Sequence, residues 1–329
     1  MTVLGIETSC DETAASICHD GKILSSIISS QAVHSSFGGV VPEIASREHE
    51  RMLNSIVSNA ISDANLSLGD LDAIAVTQGP GLAGALLTGV SFAKGLSLGL
   101  NIQLIPINHL EAHIFVNFLA DSTLEYPFVC LLVSGGHTQL WVIKDIGVYK
   151  LLGETRDDAA GEAFDKGSRI LGLGYPGGPQ IEKFSQDGDP TAVVFPRGLM
   201  GSNSLEFSFS GLKTSLLYFM DDFQESKECR LADVAASYQQ AIVDCLSEKL
   251  ARAVEKIGIK TCVVAGGVAA NSRLRLELNK RIKNTRILFP DLKYCTDNAA
   301  MVSFLGEIKL KNGYKSNLFC GVIPNLKLA

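Results

Sequence analysis

The sequence predicts an α/β protein made of two similar halves facing each other across a cleft. Three observations carry this prediction. A run of strand, small polar turn, strand, turn and strand occupies residues 3–30 and recurs at residues 128–154. Each run is followed by a buried strand that leads through glycines into a helix, at residues 73–84 and again at residues 261–271. The 329 residues, 46% hydrophobic and 19% charged, suffice for two ordinary cores in a soluble chain. The expected division is a first lobe of residues 1–105 joined by a C-terminal helix at about 300–329, and a second lobe of residues 106–299 holding the metal and nucleotide motifs.

In the first half, residues 3–7 form a short apolar strand, residues 8–12 a polar turn with Ser9, Asp11 and Glu12, and residues 13–18 a second strand. His19-Asp20-Gly21 turns the chain into residues 22–30. From Pro42 to about Ala64, Ile44, Leu53, Ile56, Val57 and Ile61 recur at helical spacing, and His49 is assigned to the polar face. Residues 73–77 are a buried strand. The apolar window at residues 82–107 is broken by glycines, Lys94, Asn101 and Gln103, so it reads as a buried helix followed by a strand, not as a membrane span.

The second half has strands at residues 128–133, 138–143 and 148–154. A helical stretch at 155–173 carries Asp157, Asp158, Glu162, Asp165 and Lys166, and a glycine-dense loop follows at 172–179. Ser210 is placed as the cap of a helix reaching about Asp221. A long amphipathic helix spans residues 231–257, Phe289-Pro290 closes a strand, and Asp297 stands in cap position before the last helix. Six basic residues between Arg273 and Arg286 face one acid; this is either a solvated helix face or a contact for an RNA backbone.

Several classes are excluded or weakened. No basic-then-apolar leader precedes the first strand. Eight cysteines lie far apart with no Cys-x-x-Cys, which fits reduced thiols in a cytosol. A net charge of −6 argues against a chain that coats nucleic acid by itself. Gly79-Pro80-Gly81-Leu82-Ala83-Gly84 formally matches a dinucleotide fingerprint. It does not follow the first strand, and no acid ends the next strand to hold a ribose. Its glycines are read instead as allowing a tight turn and close helix packing.

The chemistry-bearing pattern is Asn108-His109-Leu110-Glu111-Ala112-His113. Histidines four apart on a helix share one face and can hold one metal ion, although such a pair is as often merely solvated or capped. Glu111 does not make this a zincin, which needs the acid directly after the first histidine. Asp297 is the candidate third ligand, with a helix cap as the alternative role. Two imidazoles and a carboxylate would leave coordination positions for substrate oxygens. Ser134-Gly135-Gly136 exposes backbone N–H groups suited to a phosphate, or is an ordinary hairpin turn.

With the segments assembled, the chain resembles the TsaD family of threonylcarbamoyltransferases. The resemblance rests on Ile6-Glu7-Thr8-Ser9-Cys10-Asp11-Glu12-Thr13, the Asn108-to-His113 motif, Leu132-Val133-Ser134-Gly135-Gly136-His137-Thr138, Gly174-Tyr175-Pro176-Gly177-Gly178-Pro179, Ala265-Gly266-Gly267-Val268-Ala269-Ala270-Asn271 and Thr296-Asp297-Asn298-Ala299-Ala300-Met301. It implies the duplicated, RNase H-like fold of actin, sugar kinases and heat-shock chaperone ATPases. It implies His109, His113 and Asp297 as ligands of one divalent metal, iron or zinc. It implies Leu132, Val133, Ser134, Gly135, Gly136, Asp165, Gly178, Glu182 and Asn271 as the binding residues for L-threonylcarbamoyl-adenylate. Asp11 and Glu12 are candidates for the general base or for holding the amine. The implied reaction forms N6-threonylcarbamoyladenosine at adenosine 37 of tRNAs reading codons that begin with A.

The implied setting is the cytoplasm. The expected partners are tRNA, a shorter paralogous subunit of the same fold that lacks the metal motif, and a small P-loop ATPase, with no membrane; a homodimer is left open. Lys166-Gly167-Ser168-Arg169 departs from the more aliphatic run expected after Asp165. Three rivals remain: a small-molecule kinase of the same fold, a metallopeptidase, and a non-catalytic scaffold. The kinase gives no reason for the His/His/Asp set, the peptidase needs a general-base acid that Glu111 is poorly aimed to supply, and the scaffold would lack the ligands.

Overall fold

Glycine and apolar alternation shape the first sheet. In the computed structural model, which describes residues 1–201, 203–226, 229–314 and 318–328, the chain opens with β1 (Thr2–Glu7), β2 (Glu12–His19) and β3 (Lys22–Ser30). The β2–β3 turn places Asp20 and Gly21 at φ 46° and 77°, the backbone a two-residue hairpin requires. Next come α1 (Pro42–Asp63), β4 (Ala73–Gly79), α2 (Ala83–Leu100) and β5 (Gln103–Asn108). Then follow α3 (His109–Phe115) and the single turn α4 (Asn117–Ala120). The sheet order is β3-β2-β1-β4-β5, antiparallel among β1, β2 and β3 and parallel from β1 through β4 to β5.

The second sheet repeats this plan strand for strand. It is built from β6 (Phe128–Val133), β7 (Thr138–Asp145) and β8 (Val148–Glu154), then α5 (Ala160–Ile170), α6 (Gly177–Phe184), α7 (Ser210–Asp221) and α8 (Leu231–Ile257). It closes with β9 (Thr261–Ala265), α9 (Ser272–Arg281) and β10 (Arg286–Leu288). Its order, β8-β7-β6-β9-β10, matches that of the first sheet strand for strand, with the same two antiparallel and two parallel pairings. The duplication expected from residues 3–30 and 128–154 is therefore present in the topology.

The last helix, α10 (Ala299–Lys311), returns to the first sheet. Leu4 and Ile6 of β1 face one core with Leu53, Ile56 and Val57 of α1 and Val90 of α2. Val3 and Gly5, on the alternate face, meet α10 so closely that a Cβ at Gly5 would lie 2.5 Å from the Ser303 nitrogen. Both faces of the sheet are thereby covered, and every residue of β1 is buried. In the second unit, Val129, Leu131 and Val133 of β6 pack with Val264 of β9 and with Tyr238, Ile242, Leu246 and Leu250 of α8.

The contacts divide the chain into Met1–Thr123 with Thr296–Leu328, and Leu124–Cys295. This moves the expected boundary. Residues 106–123 stay with the first unit because α3 packs on β5 and α10. The expected C-terminal helix ends at Lys311, and residues 318–328 form a non-helical strap; residues 315–317 and 329 lie outside the described residues. The strap is tied by Ile323 N–H to Gln78 O, Gly81 N–H to Pro324 O, and the Asn108 amide to Lys327 O.

Four local expectations change. The helix after β8 begins only at Ala160, because Asp157 is engaged elsewhere: its carboxylate accepts from the Phe209 and Ser210 N–H groups and from the Ser208 and Ser210 hydroxyls. That carboxylate, not Ser210, caps α7. β10 stops at Leu288, before Phe289-Pro290. And α2, expected to be buried, buries one face (Ala85, Leu86, Gly89, Val90, Ala93) while Leu87 and Leu98 stand 56% and 65% exposed. By length and composition alone α2 could cross a membrane; in the fold it packs on α1, β4 and β5.

Candidate metal centre

His109 and His113 sit on α3 because Asn108 starts that helix: its Oδ1 accepts from the Leu110 and Glu111 N–H groups at 2.9 and 3.2 Å. Both imidazoles are buried and meet edge to face, with centroids 4.7 Å apart. Asp297 precedes α10, but the cap there is Asn298, whose Oδ1 accepts from Met301 N–H at 3.0 Å. This corrects the cap role considered for Asp297 and leaves its carboxylate for the imidazoles. Asp297 Oδ1 lies 3.0 Å from His113 Nε2 and 3.4 Å from His109 Nε2. One donor atom from each of the three residues falls within 4.8 Å of the others.

This donor set fits a divalent ion. Both histidines turn the same ring nitrogen, Nε2, to one carboxylate oxygen, and His113 Nδ1 is buried without a hydrogen-bond partner among the described residues. The charge balance points the same way. Burial pushes Glu12 up, and the neighbouring Asp297 and Asp11 carboxylates add to it, reaching about 10. Burial also pushes Asp297 up, but His109 and His113 outweigh it and hold the carboxyl far below its ordinary value. For His109, burial favours the neutral ring, yet Asp297 and Glu7 win and raise its pKa well above the usual imidazole range. Crowded carboxylates around two imidazoles are what a cation would neutralise.

Around this trio, Glu7 at the end of β1 is fully buried and reaches His109 Nδ1 at 3.1 Å. Sequence reasoning missed it, since an acid closing an apolar strand looks like an ordinary flank. Asp11 and Glu12 lie half-buried at the β1–β2 turn of the same unit. His49, expected on a polar face, is instead buried, with Nδ1 2.8 Å from Thr13 Oγ1 and Nε2 2.9 Å from Cys10 O. It brackets the turn that bears the two acids. Glu111 pairs with Lys309 of α10 at 2.5 Å, away from the imidazoles' shared carboxylate.

The glycines after β4 are explained by this turn. A Cβ at Gly81 would lie 2.5 Å from Ser9 O, and one at Gly89 would lie 2.2 Å from Thr8 Oγ1. They let the chain approach the β1–β2 turn, as the close-packing reading of the fingerprint-like motif expected.

In the second unit, the Ser134–Gly136 turn follows β6, Asn271 follows β9, Asp165 lies on α5, and Gly178 and Glu182 lie on α6. The Ser134–His137 turn is closed by Ser134 N–H to His137 O at 2.8 Å and leaves Gly135 and Gly136 exposed. A Cβ at either glycine would meet no atom of the described residues within 4 Å. Leu132 and Val133 are buried in β6. Asp165 accepts from Gly177 N–H at 2.7 Å and so pins the start of α6, which carries Gly178 and Glu182. Glu182 accepts from Ser272 N–H at 2.8 Å and from the Asn271 amide at 3.4 Å; Asn271 also caps α9 through Leu274 N–H. Asp165, Gly178, Glu182 and Asn271 thus belong to one connected group.

The family model described as TsaD, tRNA N6-adenosine threonylcarbamoyltransferase, matches residues 22–304. The chain belongs to the TsaD family. It is 51% identical over 331 residues to the tRNA N6-adenosine threonylcarbamoyltransferase of Thermosipho africanus, covering all of both chains. It is 50% identical to that of Kosmotoga olearia, covering all of this chain and 99% of the other. The chain is accordingly an enzyme of the transferase class that modifies tRNA. Among solved structures, HypF of T. kodakarensis aligns over 94% of this chain and 48% of its own, at TM-score 0.64 and 16% identity. The activator of 2-hydroxyisocaproyl-CoA dehydratase from Clostridium difficile aligns over 96% and 99%, at TM-score 0.55 and 15% identity. These likenesses show the fold, the duplicated actin-like α/β architecture.

Proposed function

We propose that this TsaD-family enzyme transfers the threonylcarbamoyl group from L-threonylcarbamoyl-adenylate to N6 of an adenosine in tRNAs that read codons beginning with A. The observation that carries the proposal is the convergence of His109, His113 and Asp297 on one point in a unit that also holds Asp11 and Glu12. A kinase of the same fold has no use for that trio, and the pairing of Glu111 with Lys309 disfavours its service as a peptidase base.

In the reaction, the N6 nitrogen attacks the carbamoyl carbon of the mixed anhydride. A C–N bond forms, the bond between that carbon and the anhydride's bridging oxygen breaks, AMP leaves with that oxygen and the electron pair, and N6 gives up one proton. A divalent ion held by His109, His113 and Asp297, iron or zinc, would supply a Lewis acid for the threonylcarbamoyl oxygens. Asp11 is the group to take the amine's proton, and Glu12, which burial and the neighbouring carboxylates keep protonated, the group to hold the amine. Backbone N–H groups of Gly135 and Gly136 would hold the phosphate, the Ser134 N–H being given to His137 O, with Leu132, Val133, Ser134, Asp165, Gly178, Glu182 and Asn271 shaping the rest of the adenylate site. The expected setting is the cytoplasm, in company with a paralogous subunit of the same fold and a small P-loop ATPase.

Nucleoside mass spectrometry tests this. Unmodified tRNA is incubated with the adenylate, this chain and the two partners, with and without chelator. Modified adenosine that requires this chain and vanishes on chelation, returning with added iron(II) or zinc, is the expected result. Undiminished product after chelation, or from His109→Ala protein, would remove the metal from the proposal.

A further inference from the structure

Glu7 is an expensive residue to keep. It is 0% exposed, and among the described residues its one ion-pair partner is His109 rather than a lysine or arginine. Its carboxylate is nevertheless held in place from three sides. Oε1 accepts from Ser9 N–H at 2.6 Å, and Oε2 accepts from the Thr77 hydroxyl at 2.6 Å and faces His109 Nδ1 at 3.1 Å. Ser9 Oγ lies 3.2 Å from the same ring nitrogen. The donors come from the β1–β2 turn, from β4 and from α3, so the carboxylate cannot turn without breaking a contact to one of three elements.

The two histidines are unequal in this respect. Among the described residues His113 Nδ1 has no hydrogen-bond partner, while His109 Nδ1 has a buried carboxylate. A carboxylate on the far nitrogen of an imidazole keeps the proton there, orients the ring and leaves the other nitrogen's lone pair for an ion. Here that other nitrogen is His109 Nε2, which faces Asp297 beside His113 Nε2.

We propose that Glu7 is the positioning residue of the metal centre: by taking the Nδ1–H of His109 it fixes the ring tautomer and aims Nε2 at the point shared with His113 and Asp297. Thr77 and the Ser9 N–H act one step further out, by orienting the Glu7 carboxylate. This rests on the metal reading given above and adds to it a residue outside the ligand set.

The test is zinc affinity of the full chain by competition with a chromophoric chelator, followed by cobalt(II) absorption. Glu7→Gln keeps the shape but removes the charge and one acceptor oxygen. Its zinc affinity should fall roughly 10–100-fold, the range for loss of an outer partner of a metal-bound histidine, and its cobalt bands should shift. Thr77→Val, which leaves the charge in place, should lose less than about tenfold and keeps the test alive if Glu7→Gln does not fold. His109→Ala marks full loss of a ligand, and circular dichroism of each protein in chelator separates misfolding from lost affinity. Zinc binding by folded Glu7→Gln equal to wild type, with His109→Ala defective, would overturn the role of Glu7 alone. A wild-type chain that binds neither metal would overturn the metal reading itself.

Discussion

The ion pair between Glu111 of α3 and Lys309 of α10 joins the helix that carries both histidines to the helix opened by Asp297-Asn298. Its atoms are 2.5 Å apart, and the side chains are only 7% and 16% exposed. Lys309→Met fills nearly the same volume but takes the Lys309 ammonium away from the buried Glu111 carboxylate. Removing one partner of a buried pair costs about 3–5 kcal/mol, whereas removing both is often near neutral. The Glu111→Gln/Lys309→Met double variant should therefore be within about 1–2 kcal/mol of wild type, recovering roughly 1–4 kcal/mol of the Lys309→Met loss. At about 2–4 °C per kcal/mol for a unit of this size, Lys309→Met alone should lower Tm by roughly 6–20 °C. Urea and thermal unfolding should be followed by far-UV circular dichroism, because the one tryptophan, Trp141, lies in the other unit. A Lys309→Met loss below about 1 kcal/mol, or single effects that simply add, would refute the reasoning.

Burial holds the His49 imidazole below its ordinary pKa, so its contribution to stability is whole above about pH 6.5 and is lost as pH falls from there toward the folded-state value. Urea unfolding between pH 5 and 8 should show a downward slope on acidification in wild type that is shallower in His49→Gln; equal slopes would contradict this. Gly81→Ala drives a Cβ to 2.5 Å from Ser9 O, an oxygen already accepting from Leu82 N–H, and should cost about 1–3 kcal/mol together with most of the tRNA-modifying activity. A fully active variant of wild-type stability would rule out the close approach. Asp157→Ala removes four hydrogen bonds at the start of α7 and should cost roughly 2 kcal/mol, with faster amide exchange confined to α7 and the preceding loop. Burial raises the Asp157 carboxyl, but those donors outweigh it and hold it below its usual range, so this contribution disappears in acid as the carboxylate protonates.

What the sequence disclosed was what short-range pattern encodes. The two meanders and their strand–glycine–helix continuations were legible because period-two and period-3.6 patterns are local, and the identical strand orders of the two sheets follow from them. The His109/His113 face was legible for the same reason. What stayed hidden depends on contacts between distant residues. The helix α3 looked like the start of the second lobe until α10 came back to cover it, and His49 looked like a surface residue because its partners, Thr13 and Cys10 O, lie on another strand and turn. Glu7 has no local signal at all. The unusual Lys166-Gly167-Ser168-Arg169 run also finds its reason only in three dimensions: a Cβ at Gly167 would lie 2.3 Å from the Tyr238 ring, whose hydroxyl donates to Ala163 O, and the Ser168 hydroxyl donates to Gly174 O.

The first unit is discontinuous, and this sets a timetable. His113 and Asp297 are 184 positions apart in the chain yet 3.0 Å apart in space, and the whole of the second unit is synthesised between them. At about 5–20 residues per second a ribosome takes roughly ten to forty seconds over that interval. During it, α3 has emerged with both imidazoles while the carboxylate and the α10 face that will cover the sheet do not yet exist. The second unit, continuous in sequence, can complete its core meanwhile. The donor set is therefore finished late in synthesis, and a nascent chain halted before Asp297 presents a histidine pair without its third donor.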